Sequence, residues 1–165
     1  MNGKDAQHYI LYDDIRGCLM NVQKYETYKS IHKSLSKSLK CGFYYEAIFL
    51  EYAILEDRLA AVLKYAERPY MDKNGHDVSI SKKLNLIETR KELAEKFYKD
   101  RLTPELILEC RTWIDMRNQL IHHMAKLPYD NEQVQKVAVE GNELVRKVKN
   151  KTASVVNRLK KEKGQ

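Results

Sequence analysis

A chain of 165 residues has the length of one domain and can bury about two-thirds of its unfolded surface, so it needs neither a metal nor a disulfide frame to hold together. Lys and Arg number 30 against 23 Asp and Glu, for a formal charge of +7, and no run approaches 18 uncharged apolar residues, which argues against a membrane span. The N-terminus lacks the apolar run of a signal peptide. Cys18, Cys41 and Cys110 are scattered without a C-x-x-C pair and read as small buried thiols, so a cytoplasmic location is expected.

The first helix is expected to end before Cys41-Gly42, because Tyr12, Ile15, Leu19, Val22, Ile31, Leu35 and Leu39 recur at threes and fours and Gly42 can cap it. Lys29, Lys33 and Lys37 form a basic stripe on another face. A second helix is expected from Phe43 to Ala66, stopped by Arg68-Pro69. Residues 67–79 contain Pro69 and Asn74-Gly75 and read as the longest loop, with room for a small hairpin. Ser79 can cap a third helix that the pattern carries to Lys99. Thr103-Pro104-Glu105 combines a hydroxyl cap, a first-turn proline and an acid, and opens a helix that stops before Pro128. Asp130 with Gln133 resembles a capping box for the last helix. Continuous to Lys163, that helix would be about 50 Å long, so its end should project. Gly141 falls in its apolar seam and marks close helix approach. The expected fold is therefore all-α, a bundle of about five helices forming a single domain over residues 1–165.

Residues 146–165 carry eight basic side chains and one acid, so the rest of the chain is neutral. This basic C-terminal arm, with Lys147, Lys149, Lys151, Arg158, Lys160 and Lys161, suits a polyanion, because each phosphate contact releases condensed counterions. The competing reading is that its lysines only complement the helix dipole.

Charge also appears where apolar residues belong. At 100° per residue the apolar side chains of the Thr103 helix fall within about 80° of a mean direction, and Arg117 lies near the centre of that arc. Glu51 and Arg58 occupy the apolar face of the second helix in the same way, and Glu51 is the expected partner of Arg117. Such charges can be an internal salt bridge, a polar dimer seam or the lining of an anion site. Asn118 and His122 sit one turn apart beside Arg117, whereas His123 points away. His8, His32 and His76 are isolated and read as surface or loop residues, and Tyr44, Tyr45 and Tyr70 read as core before base-stacking platforms. No zinc, phosphate-loop, calcium or nucleophile-elbow motif is present, so no metal or other cofactor is expected.

The segment Arg117-Asn118-Gln119-Leu120-Ile121-His122 resembles the R-x(4-6)-H motif of the HEPN superfamily, as do the small all-α size and the late position of the motif on a helix. Met124 stands where some members carry tyrosine, which sets this chain apart from that toxin subgroup. The resemblance implies a metal-independent endoribonuclease whose two protomers form one composite cleft. Arg117 would bind the scissile phosphate, His122 would transfer a proton and Asn118 would orient one of them. Implied partners are RNA, a second copy of the chain and an antitoxin or other regulatory protein, in defence, stress response or a toxin system.

Overall fold

Helix ends in this chain are set by local chemistry. The computed structural model describes residues 3–66, 70–89, 93, 95–124, 126 and 130–164, with side chains from Val22 onward apart from Lys96. Helix α1 spans Gly3–Cys41 and stops at Gly42, whose φ of 76° lets the Phe43 N–H turn back to the Ser38 carbonyl at 2.8 Å. Helix α2 spans Tyr44–Tyr65. Helix α3 spans Ile80–Glu88 and starts at Ser79, whose hydroxyl accepts the Lys82 N–H. A single turn, α4, covers Lys96–Lys99. Helix α5 spans Pro104–His123 with Thr103 accepting the Leu106 N–H, and α6 spans Asn131–Glu162 with the Asp130 carboxylate accepting the N–H groups of Glu132 and Gln133. Arg68-Pro69 and Pro128, expected as stops, lie outside the described residues.

The architecture is the expected all-α helical bundle with a long C-terminal helix, and no strand occurs among the described residues. Helix α2 packs mainly on α6 and also meets α1 and α3, while α5 lies on α6 and touches α3. Ile48, Ile54, Leu55, Leu59 and Leu63 of α2 face Ala138, Leu144, Val145, Val148 and Val155 of α6 in one continuous core. Burying each of the larger side chains contributes about 1.5–3 kcal/mol before entropy is charged. Tyr44, Tyr45 and Tyr70 are half-buried against this core. The 70–79 loop closes on one bridge between Met71 and Asp77, and the Asp72 carboxylate accepts the N–H groups of Asn74 and His76.

Three expectations are corrected. The third helix does not run to Lys99: it stops at Thr89, whose hydroxyl and N–H both go to the Asn85 carbonyl. Residues 90–92 lie outside the described residues. The basic arm does not project freely either. Thr152, Val155 and Leu159 stay buried to its end, Tyr98 donates to Glu162 at 2.7 Å, and Arg101 donates to Ser154 at 2.8 Å. The apolar stripe of α6 continues through the arm and stays in the common core, to which Tyr98 of α4 also belongs. Finally, Cys110 is buried but Cys41, at the exposed end of α1, is not.

Candidate functional site

Helix α5 is fixed on α6 by the Trp113 indole N–H, which donates to the Val137 carbonyl at 2.9 Å, and by buried Cys110, Ile114 and Leu120. One turn beyond Trp113, Arg117 is carried against α2, where its guanidinium lies 4.5 Å from the Tyr52 ring and 5.5 Å from that of Phe49. Its Nη1 donates to the side-chain Oδ1 of Asn118 at 3.0 Å, and its buried Nε has no hydrogen-bond partner among the described residues. Two aromatic faces therefore hold the cation in place of a carboxylate.

The expected Glu51–Arg117 pair does not form. Glu51 is fully buried and neither carboxylate oxygen finds a hydrogen bond. It points at Gly141, where a Cβ would come within 2.3 Å of its Oε2 and 2.7 Å of the Trp113 ring. Gly141 thus marks close approach of α6, as its place in the seam implies. Burial pushes the Glu51 carboxyl up to about 8, so it stays mostly protonated at neutral pH and needs no cation.

Arg58 belongs to a different cluster. It donates to Asp57 at 2.6 Å and to the Tyr28 hydroxyl at 2.9 Å, and its guanidinium sits 4.5 Å from the Tyr28 ring. Tyr28 in turn donates to Asp57, and Lys24 reaches the same carboxylate at 3.0 Å. Burial opposes ionisation of Asp57, but the hydrogen bonds from Tyr28, Arg58 and Lys24 outweigh it and hold the carboxyl below its usual range. This cluster ties α1 to α2, so Arg58 has no part in the Arg117 surroundings.

His122 and His123 both end α5 and both are exposed, so exposure does not separate them. Arg117 and His122 are five residues apart, about 7.5 Å along the axis and roughly 140° around it. Arg117 and Asn118 are brought together, but the expected grouping of His122 beside Arg117 is corrected: His122 stands off on another face, and His123, roughly 120° round, is no farther round the axis from Arg117.

No family model matches this chain, and no curated protein or solved structure matches it either.

The six basic residues expected to meet a polyanion divide. Lys147 pairs with Glu109 and Arg158 with Glu162, each at 2.6 Å, and Lys160 lies 4.9 Å from the Tyr65 ring. Lys151 and Lys161 are exposed, and Lys149 faces His32. His32, read from sequence as an isolated surface residue, is half-buried, and its pKa is lowered first by burial and then by Lys149 and Arg58. Sequence reasoning also missed Lys83, a fully buried ammonium that donates to Asp77 at 2.7 Å and Glu56 at 3.2 Å. Its place on the apolar face of α3, between Ile80 and Leu84, was the available signal. Among the described residues no three His, Cys, Asp or Glu side chains gather to hold a metal, and no helix is long and apolar enough to cross a membrane.

Proposed function

We propose that this chain is a HEPN-like, metal-independent endoribonuclease that works as a homodimer under the control of a neutralising or regulatory protein. The observation that carries the reading is Arg117: half-buried, oriented by Asn118 and two aromatic rings, it is a preorganised guanidinium on which no described residue places a carboxylate. Such a group is suited to an RNA phosphate. Because Arg117 and His122 point apart on α5, one phosphate is served by Arg117 of one protomer and His122 of another. In the reaction the ribose 2′-OH gives up its proton and its oxygen attacks phosphorus. The 5′-oxygen leaves with a proton, so the products are a 2′,3′-cyclic phosphate and a 5′-hydroxyl. Arg117 stabilises the charge on phosphorus and His122 moves a proton.

A second reading, RNA or nucleotide binding or protein interaction through the same surface without cleavage, is favoured by one feature. The exposed His122 ring is not fixed by any described residue, whereas a proton-transfer group is ordinarily oriented by a neighbour. The test is incubation of purified wild type, Arg117→Ala and His122→Ala with mixed cellular RNA in EDTA from pH 6 to 9. Wild-type cleavage to cyclic-phosphate ends, reduced about 10²–10³-fold or more in each variant, is expected. RNA left intact by the wild type, or cleavage surviving both substitutions, removes the proposal, and a strictly monomeric protein at micromolar concentration removes the composite cleft.

A further inference from the structure

Several cations of the bundle have an acid beside them: Lys24, Lys83, Arg111, Lys147 and Arg158 each meet a carboxylate. The groove between α1 and α6 gathers cations without one. Its walls carry His32 and Lys40 from α1 and Arg146 and Lys149 from α6, over an aliphatic floor that includes Leu35 and Val145, and among the described residues no acid lines its volume of about 360 Å³. Lys149 lies 3.3 Å from the His32 Nε2, so the ammonium donates to a neutral imidazole where a carboxylate would hold it better.

We infer that this groove binds the phosphodiester backbone of single-stranded RNA at a site that shares no residue with the surroundings of Arg117. It rests on the proposed function only for the choice of RNA. Like charges on two facing helices repel, and folding offers no described residue to offset them; an anion laid between the walls does. Helices α1 and α6 both pack on α2, and the groove between them is narrow enough for Lys149 to reach His32 across it. A flexible single strand can lay its backbone along such a narrow basic track, whereas a duplex is a rigid rod with its phosphates set on two strands around it. The α1 wall runs from His32 to Lys40, about 12 Å along the helix axis, a length that spans more than one phosphate of a strand and more than a mononucleotide uses.

The experiment is fluorescence anisotropy of a labelled single-stranded RNA with 2′-O-methyl sugars, which cannot be cut, across a salt series. The groove pair Arg146→Gln with Lys149→Gln is compared with Lys151→Gln and Lys161→Gln, an equal loss of charge from exposed residues outside it. Circular dichroism establishes that both pairs fold. The groove pair is expected to bind at least about tenfold more weakly, with a salt slope lower by about 1.4, while the control pair stays within about twofold of wild type. Equal weakening in both pairs, wild-type binding by the groove pair, or no binding by the wild type at low salt overturns the inference. DNA of the same sequence, a duplex and vesicles of anionic phospholipid serve as competitors; capture by the vesicles or the duplex in preference to the strand overturns it as well. Binding through the groove by a protein that cuts nothing leaves the inference standing and removes the ribonuclease reading. Cleavage with groove-independent binding does the reverse.

Discussion

Replacing Glu51 by Gln should change how the stability of this protein depends on pH. Glu51 is fully exposed to water only when the chain unfolds, and burial raises its pKa from 4.5 to about 8. As pH rises the unfolded chain loses this proton first, so the wild type carries no penalty below about 4.5, loses stability progressively up to about 8 and stays penalised above that. At 1.36 kcal/mol per pH unit, the loss attributable to Glu51 between pH 5 and pH 8 is about 3–4 kcal/mol. Gln fills the same space without a titrating proton. Its extra N–H groups cost stability equally at every pH and cancel when the two pH values are compared. The assay is urea unfolding of both proteins at pH 5 and pH 8, followed by circular dichroism and by Trp113, the only tryptophan, which lies against Glu51. The variant should gain about 3–4 kcal/mol relative to wild type on going from pH 5 to pH 8. Parallel pH profiles would mean that water or a cation reaches Glu51 in the native state, and the account of an uncharged, unpartnered carboxyl would be wrong.

Two further predictions concern packing. Gly141→Ala should lower stability by about 1–2 kcal/mol, read as a drop in Tm, because the clash with a Trp113 ring pinned by its hydrogen bond outweighs the roughly 1 kcal/mol that alanine adds to helix propensity. A Tm equal to or above that of wild type would show that α6 can move off α5 freely. Lys83→Met should stay within about 1 kcal/mol of wild type while Lys83→Ala loses about 2–3, since the partly exposed Asp77 and Glu56 keep water when the ammonium goes but a void does not fill. Equal losses in the two variants in a denaturant titration would make the ion pairs, and not the volume, the source of stability.

The helix starts at Ser79, Thr103 and Asp130 and the stop at Gly42 were legible because a cap is a local device: an oxygen within three residues of a free N–H, or a backbone free to adopt positive φ, acts before any packing. The helical period of α2 and α6 was legible for a similar reason, since one face of each must be apolar. Gly141 could be read as a close contact because only a missing side chain explains glycine in a buried seam. The end of α3 at Thr89 was not legible, because no proline or glycine stands there and a threonine hydroxyl turned back to the Asn85 carbonyl is not a stop that sequence pattern marks.

The site divides along the same line. Arg117 and Asn118 adjoin in sequence and their contact follows from helix geometry, so the inward arginine was visible before the fold. What meets it was not. Glu51 and Arg117 share an apolar direction on their own helices, but periodicity fixes only an angle about one axis. The relative height and tilt of two axes turned Glu51 toward Gly141 and gave Arg117 to Tyr52 and Phe49. Likewise His32 and Lys149 are 117 residues apart, and no one-dimensional pattern joins them. The sequence by itself determined the all-helical class, the caps and the polar residues set into apolar faces, all consequences of neighbours within a few positions. Only the tertiary structure decided which charges are paired, which are merely buried and where unpaired cations face one another, because those depend on distances between helices that pack through other residues.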